Sequence, residues 1–360
     1  MLRVMNACLS KGDFPRNWKK AKLVLIPKHS EVEGEKKYRP ICMLSTVGKL
    51  LERLLCERIR AEVEARGGLS DRQYGFREHK STTDAVTKVV ELTREATKGS
   101  YQSKKLGIMI SFDVRNAFNS APWDKIIKAL EERQVPAYLI KMVEGYFQDR
   151  LLVVGEDQTK MRLSRGVPQG SVLGSLVWNV FYDGVLRLKM AQETETIDYA
   201  DDLALIVTAK DAGRLVEAAN ESVGKVIGWM NKHGLELAGE KTEIVVIAGR
   251  RKLKSVEIRV GGYMVQSREA IKYLGVWIDK DLRMVQHVKK VTEKADRTKA
   301  LAKIMPNEDI PSSGKRRILV GVVHSILTYA APAWTDVMRI RNYKMLLERC
   351  QRRCQTKPCR

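Results

Sequence analysis

Two adjacent carboxylates, Asp201 and Asp202, stand between an extended run ending at Tyr199-Ala200 and the apolar run Leu203-Ala204-Leu205-Ile206-Val207. Two short strand-like segments joined at an acidic dipeptide read as a β-hairpin whose turn presents both carboxylates together. Like charges held side by side repel, so a fold that keeps them on a tight turn usually has a cation there. An all-oxygen donor set favours Mg²⁺, with Mn²⁺ as a substitute. An Asp-Asp at a strand end is also what a solvated turn looks like, and the rest of the chain decides between the two.

Upstream, the β-rich run Leu106-Gly107-Ile108-Met109-Ile110-Ser111-Phe112 ends at Asp113, followed by Val114-Arg115-Asn116-Ala117-Phe118-Asn119. A carboxylate at the end of one strand can sit beside hairpin carboxylates on its neighbour, so that three acids converge on two metals about 3.5–4 Å apart, the apparatus of in-line phosphoryl transfer. Between the acidic sites lies Arg165-Gly166-Val167-Pro168-Gln169-Gly170-Ser171, a Gly/Pro loop opening a helical run near Val172. Such a loop lets backbone approach a ligand, and Gln169 offers an amide to a sugar or base edge.

In this order the motifs resemble the reverse transcriptases of non-LTR (LINE-type) retrotransposons, particularly those of arthropod elements. The resemblance covers nearly the whole chain. Phe14-Pro15-Arg16-Asn17-Trp18-Lys19 through Leu25-Ile26-Pro27-Lys28, then Tyr38-Arg39-Pro40-Ile41, look like the family's first fingers motifs, and Gln73-Tyr74-Gly75-Phe76-Arg77 with Ser81-Thr82-Thr83-Asp84-Ala85 looks like the next. The segments around Asp113, Arg165 to Gly174 and Tyr199 to Asp202 are similar to the three central palm motifs. Gly234-Leu235-Glu236 with Lys241-Thr242-Glu243, and Tyr273-Leu274-Gly275-Val276, resemble the two that close the palm.

The resemblance implies an α+β right-hand polymerase fold of fingers, palm and thumb, with an antiparallel palm sheet backed by helices. It implies an RNA-directed DNA polymerase whose partners are an RNA template, a DNA primer and dNTPs. Asp113 and Asp201 would hold both Mg²⁺ ions and Asp202 would be the less direct third carboxylate. Lys28 and Arg39 would contact the incoming triphosphate, which suits a point charge and a bidentate fork respectively; the alternative for each is a surface charge. Phe118 looks like the family's sugar-discriminating aromatic, the alternative being an ordinary core Phe. Gln169 and Gly170 would line the nucleotide pocket, and Lys241 resembles the lysine placed near the leaving phosphate. The rival readings are a group II intron maturase-type or telomerase polymerase, and a catalytically silent nucleic-acid-binding remnant or domesticated protein. The family's endonuclease, zinc-knuckle and ribonuclease H motifs are not visible, so the chain reads as a fragment of an element protein or a gene prediction over a decayed copy.

Charge agrees with a polyanionic partner: Lys+Arg number 65 against 43 Asp+Glu, a net +22. Residues 281–360 hold 18 Lys and Arg against 7 Asp and Glu, half of that excess. A chain of 360 residues is expected to form two or three lobes. We divide it into fingers (1–105), palm (106–280, with a helical fingers insertion near 123–165) and a basic helical thumb (281–360), expected to be incomplete. Helical stripes are predicted from Leu50 to Val63, capped at Ser45 or Thr46, from Ser81, over Trp123 to Arg133 and Ala137 to Phe147, and from Leu215 to Met230. Helices alternating with hairpins point to a sheet with helices on one face. No signal peptide or membrane span is legible, so a soluble intracellular protein, nuclear or in a cytoplasmic ribonucleoprotein, is expected. Cys350, Cys354 and Cys359 lack a fourth ligand nearby, and the six cysteines read as reduced thiols rather than a zinc site.

Overall fold

The computed structural model describes residues 1–27, 38–98, 105–155, 159–247, 253, 255–301 and 313–356. In chain order the first elements are α1 (Leu2–Lys11), α2 (Arg16–Lys19), β1 (Lys20–Pro27), β2 (Tyr38–Met43), α3 (Thr46–Ala65) and α4 (Thr82–Thr97). Then come β3 (Leu106–Phe112), α5 (Ala117–Ser120), α6 (Trp123–Glu132), α7 (Ala137–Phe147), β4 (Leu151–Val154), β5 (Thr159–Arg162) and α8 (Val172–Leu186). The hairpin β6 (Thr194–Tyr199) and β7 (Asp202–Ala209) leads to α9 (Ala212–Lys232), β8 (Glu243–Ile247), β9 (Glu257–Val260), β10 (Tyr263–Gln266), β11 (Ala270–Tyr273) and β12 (Val276–Asp279). The C-terminal part is helical: α10 (Val285–Leu301), α11 (Ser313–Thr328), α12 (Ala331–Trp334) and α13 (Arg341–Thr356).

The helix starts follow their capping residues. Ser45 Oγ accepts from Gly48 N at the head of α3, and Ser81 and Asp84 form a reciprocal capping box on α4, each satisfying amides that a helix end otherwise leaves orphaned.

The central sheet runs β6-β7-β3-β8 and every neighbouring pair is antiparallel. Its two middle strands, β3 and β7, are buried almost throughout. Ile108, Ile110, Phe112, Leu203, Leu205 and Val207 join one core cluster with residues of α3, α6, α7, α8 and α9. Met109, Ala204, Ile206, Val245 and Ile247 join a second with α4 and the C-terminal helices. The expectation of helices on one face is therefore corrected: both faces are covered. Runs such as Leu203–Val207 lack polar alternation for that reason.

A second correction concerns residues 123–165. Among the described residues there, only α6 and α7 are helical; β4 and β5 follow, with β4 parallel to β1 and antiparallel to β5, in a sheet ordered β2-β1-β4-β5. The chain thus returns after α7 to the sheet begun near its N-terminus. Four-residue strands that end a sheet carry too little periodicity to be read from sequence. The first helix, α1, was also unforeseen.

Candidate active site

The β6–β7 hairpin closes with Tyr199 paired to Asp202, so Ala200 and Asp201 form its two-residue turn. The β3–β7 register pairs Phe112 with Leu203, and one further step sets Asp113 opposite Asp202. The three sequence-predicted acids are thereby brought to one end of the central sheet.

Ala200 takes φ +66°, a left-handed conformation costing a residue with a Cβ about 1–2 kcal/mol. Surrounding groups hold it there. Trp178 Nε1 donates to Ala200 O at 2.8 Å, and Ala200 N donates to Gln73 Oε1 at 3.2 Å. Gly75 N donates to the same oxygen at 2.8 Å, Asn179 Nδ2 donates to Gly75 O at 2.7 Å, and Gln73 Nε2 donates to Asp198 Oδ2. The approach is close: a Cβ on Gly75 would lie 2.2 Å from Ala200 N. Burial, eased by the Gln73 bond and reinforced by Asp201 and Asp202, raises the Asp198 pKa well above the usual carboxylate value. Of these residues, sequence reasoning had singled out none for this role.

A cleft of about 400 Å³ lies over the hairpin. Asp113, Asp201, Arg39, Phe118, Gln169, Gly170 and Lys241 all line it; Asp202 does not. Lys28 lies outside the described residues. Lys241 Nζ donates to Asp113 Oδ2 at 2.7 Å, and the backbone places it there, because Ala238 N donates to Asp113 O and Arg115 N to Glu236 O, each at 2.8 Å. Asp202 keeps an exposed edge, yet protein crowded about its carboxyl, then the charges of Asp201 and Asp113, push its pKa up to about 7. Desolvation is the larger cause and the neighbouring carboxylates add to it. Among the described residues no three His, Cys, Asp or Glu side chains stand close enough to chelate one ion. The acids are neighbours rather than a closed chelate; their all-oxygen donors fit divalent cations.

The opposite wall is made by the loop before α8. Val167 N donates to Phe118 O at 2.6 Å and Gly166 N to Ala121 O at 2.8 Å, which joins the loop to the turn after Asp113. Cys42 N donates to Gln169 O at 2.7 Å, tying the loop to β2, the strand that carries Arg39. Gly170 has φ +112° and a Cβ there would meet Cys42 O at 2.7 Å, so glycine alone fits. Ser171 caps α8 through Gly174 N. Glu52, fully buried on α3, accepts from Ser171 Oγ at 2.8 Å, Val172 N at 2.7 Å and Leu173 N at 3.1 Å.

Phe118 is half-buried. Its ring centroid lies 4.8 Å from Trp178 and 5.9 Å from Phe76, nearly perpendicular to the latter. It is at once a wall of the cleft and a packing partner of the tryptophan that fixes the hairpin.

Cys8, Cys42 and Cys56 are buried free thiols, and Cys350 is buried as well. Cys359 lies outside the described residues. No helix among them is long and apolar enough to cross a membrane.

Residues 26–278 match a family model described as reverse transcriptase (RNA-dependent DNA polymerase). Among curated proteins, the chain is 27% identical to an RNA-directed DNA polymerase from the mobile element jockey of Drosophila melanogaster, over 82% of this chain and 32% of that protein. It is 28% identical to a probable RNA-directed DNA polymerase from transposon BS of the same organism, over 92% of this chain and 37% of the relative. The chain spans about a third of the length of these relatives. Among solved structures, apo telomerase from Candida tropicalis superposes with a TM-score of 0.53 at 11% identity, covering 97% of this chain and 66% of that one. The fold is therefore that of a right-hand polymerase, and the resemblance to arthropod LINE-type elements is borne out by the insect relatives.

Proposed function

Because this chain belongs to the reverse transcriptase (RNA-dependent DNA polymerase) family, we propose that it extends the 3′-hydroxyl of a DNA primer with dNTPs on an RNA template during retrotransposition. The observation that carries the reading is the meeting of Asp113, Asp201, Gln169, Arg39 and Lys241 on one cleft. Residues 1–105, with β4 and β5, act as fingers, 106–280 otherwise as palm, and 281–360 as thumb, in a protein that works in the nucleus or in a cytoplasmic ribonucleoprotein.

Two divalent ions, Mg²⁺ by preference, would supply Lewis-acid activation of the primer hydroxyl and neutralise charge on the triphosphate. Asp113 and Asp201 would hold them, with Asp202 supporting from outside the cleft wall. Arg39 would bind phosphate oxygens through its planar fork, and Lys28 would add a point charge. Gln169 and Gly170 would bound the nucleotide's base and sugar, and Phe118, on the same cleft, would exclude a 2′-hydroxyl. Lys241, bonded to Asp113, would bring its charge to the leaving phosphate. Electrostatic preorganisation of this kind is the main catalytic term in phosphoryl transfer.

Primer extension with dNTPs on an RNA template tests the reading. Full-length product that requires Mg²⁺ and vanishes with chelator is expected; retained duplex binding with no incorporation at any divalent ion concentration would replace it with a silent binding protein.

A further inference from the structure

A second cleft, of about 190 Å³, lies between α6, α8 and α9 and shares no lining residue with the catalytic one. Gly174 of α8 lines the first and Gly184 the second, so they are separated by about 15 Å along the helix axis. Five cations line it: Lys125 and Lys128 on α6, Arg133 just beyond its end, Arg187 just beyond α8, and Lys232 closing α9. Among the described residues Glu132 is the one carboxylate on its wall, and Asp124 lies 3.9 Å from Lys125.

The two arginines are held from beneath. Asp183, fully buried, accepts from Arg187 Nε at 2.5 Å and from Arg133 Nη2, while its other oxygen takes Ser70 N at 2.6 Å. Gly68 O accepts from Arg133 Nη1 at 2.6 Å and from Arg187 Nη2 at 2.9 Å. Two guanidiniums thus share one carboxylate, which leaves a positive charge fixed in place, and Arg187 remains half-exposed. Fixing a side chain beforehand removes an entropy cost from binding. The stacked rings of Trp229 and His233, 4.1 Å apart, make an adjacent wall of low polarity, and cations beside such a wall focus their field.

We propose that this cleft is a second nucleic-acid contact, taking the phosphodiester backbone of an RNA segment that lies outside the catalytic cleft. Lys125 and Lys128 stand one helical turn apart, and Arg187 and Lys232 come from neighbouring helices. Cations spread over three helices satisfy successive phosphates on a strand better than they satisfy a single phosphate group. The inference rests on the polymerase reading only in making RNA the polyanion at hand.

The test uses the full chain carrying Lys125→Glu, Lys128→Glu and Lys232→Glu together, none of them in the catalytic cleft. Extension of a short primer–template is expected within twofold of the parent. Binding of a long structured RNA, titrated across salt, is expected to weaken at least tenfold, with a slope flatter by about two units, each lost phosphate contact contributing about 0.7–0.9. Should the triple variant fail to fold, Lys→Gln at the same three positions carries the same expectation with a smaller loss. A folded variant with unchanged affinity and salt slope overturns the proposal, as does competition at this cleft by inorganic pyrophosphate with no change in RNA binding, which would mark a small-anion site. Because the readout is binding without catalysis, it remains decisive even if the parent extends no primer.

Discussion

The ring of Phe118 lies on the cleft wall and 4.8 Å from Trp178, whose indole N–H holds the turn at Ala200. Phe118→Val should therefore do two things. Removing the repulsive element should raise ribonucleotide use relative to deoxynucleotide use at least tenfold, read as the ratio of kcat/KM values. Losing a half-buried ring should also cost about 1–3 kcal/mol of stability. An unchanged ratio with equal losses on both nucleotide classes would leave Phe118 a packing residue only. Gly75 makes a sharper case, since a methyl there meets backbone, Ala200 N at 2.2 Å, rather than a side chain that can turn away. Gly75→Ala should destabilise the protein by about 1–3 kcal/mol in denaturant and lower extension at least tenfold, with primer–template affinity within threefold. Full activity in that variant would mean that the turn is not held by this contact. Asp113 and Asp201 could be singled out because carboxylates at a strand end and a tight turn stand out against apolar runs, whereas Lys241 entered only through the family resemblance. Gln73, Asn179 and Glu52 could not be, because a buried polar side chain is defined by partners that tertiary structure alone brings to it.

Among the elements, the central strands and the capped helices were readable from periodicity and from residues such as Ser45 and Ser81. What escaped was the company each keeps: β4 and β5 are short, and β1, the partner of β4, lies more than a hundred residues upstream. The C-terminal helices carry a group with its own pH signature. His287 on α10 is fully buried, its Nδ1 accepts from Trp277 N at 3.4 Å, and its Nε2 has no partner among the described residues. Burial lowers its pKa from 6.5 to about 4. Between these values the unfolded chain binds the proton and the folded one does not, so stability is full above about pH 6.5 and is lost as pH falls toward 4. The loss should reach up to about 3 kcal/mol. Urea unfolding at pH 7 and pH 4.5 should show it in the parent and a smaller difference in His287→Leu; parallel losses in both would assign the pH dependence to other groups.

At the scale of the whole molecule, the basic C-terminal stretch is not a detachable arm. Trp334, Val337 and Leu347 share a core with Met109 and Val245 of the central sheet, so removing residues 281–360 would open that core as well as strip charge. The sheet is thus clamped between two hydrophobic layers while its acidic end stays open to the cleft, which lets a stable scaffold carry crowded carboxylates. The account's central claim is that those carboxylates perform catalysis. Its most direct test is single-nucleotide extension of a primer on an RNA template by Asp201→Asn beside the parent, with duplex affinity measured on both. The account predicts equal affinity within threefold and a rate at least a thousandfold lower, about 4 kcal/mol in barrier. Extension at more than about a tenth of the parent rate, about 1.4 kcal/mol, would contradict it.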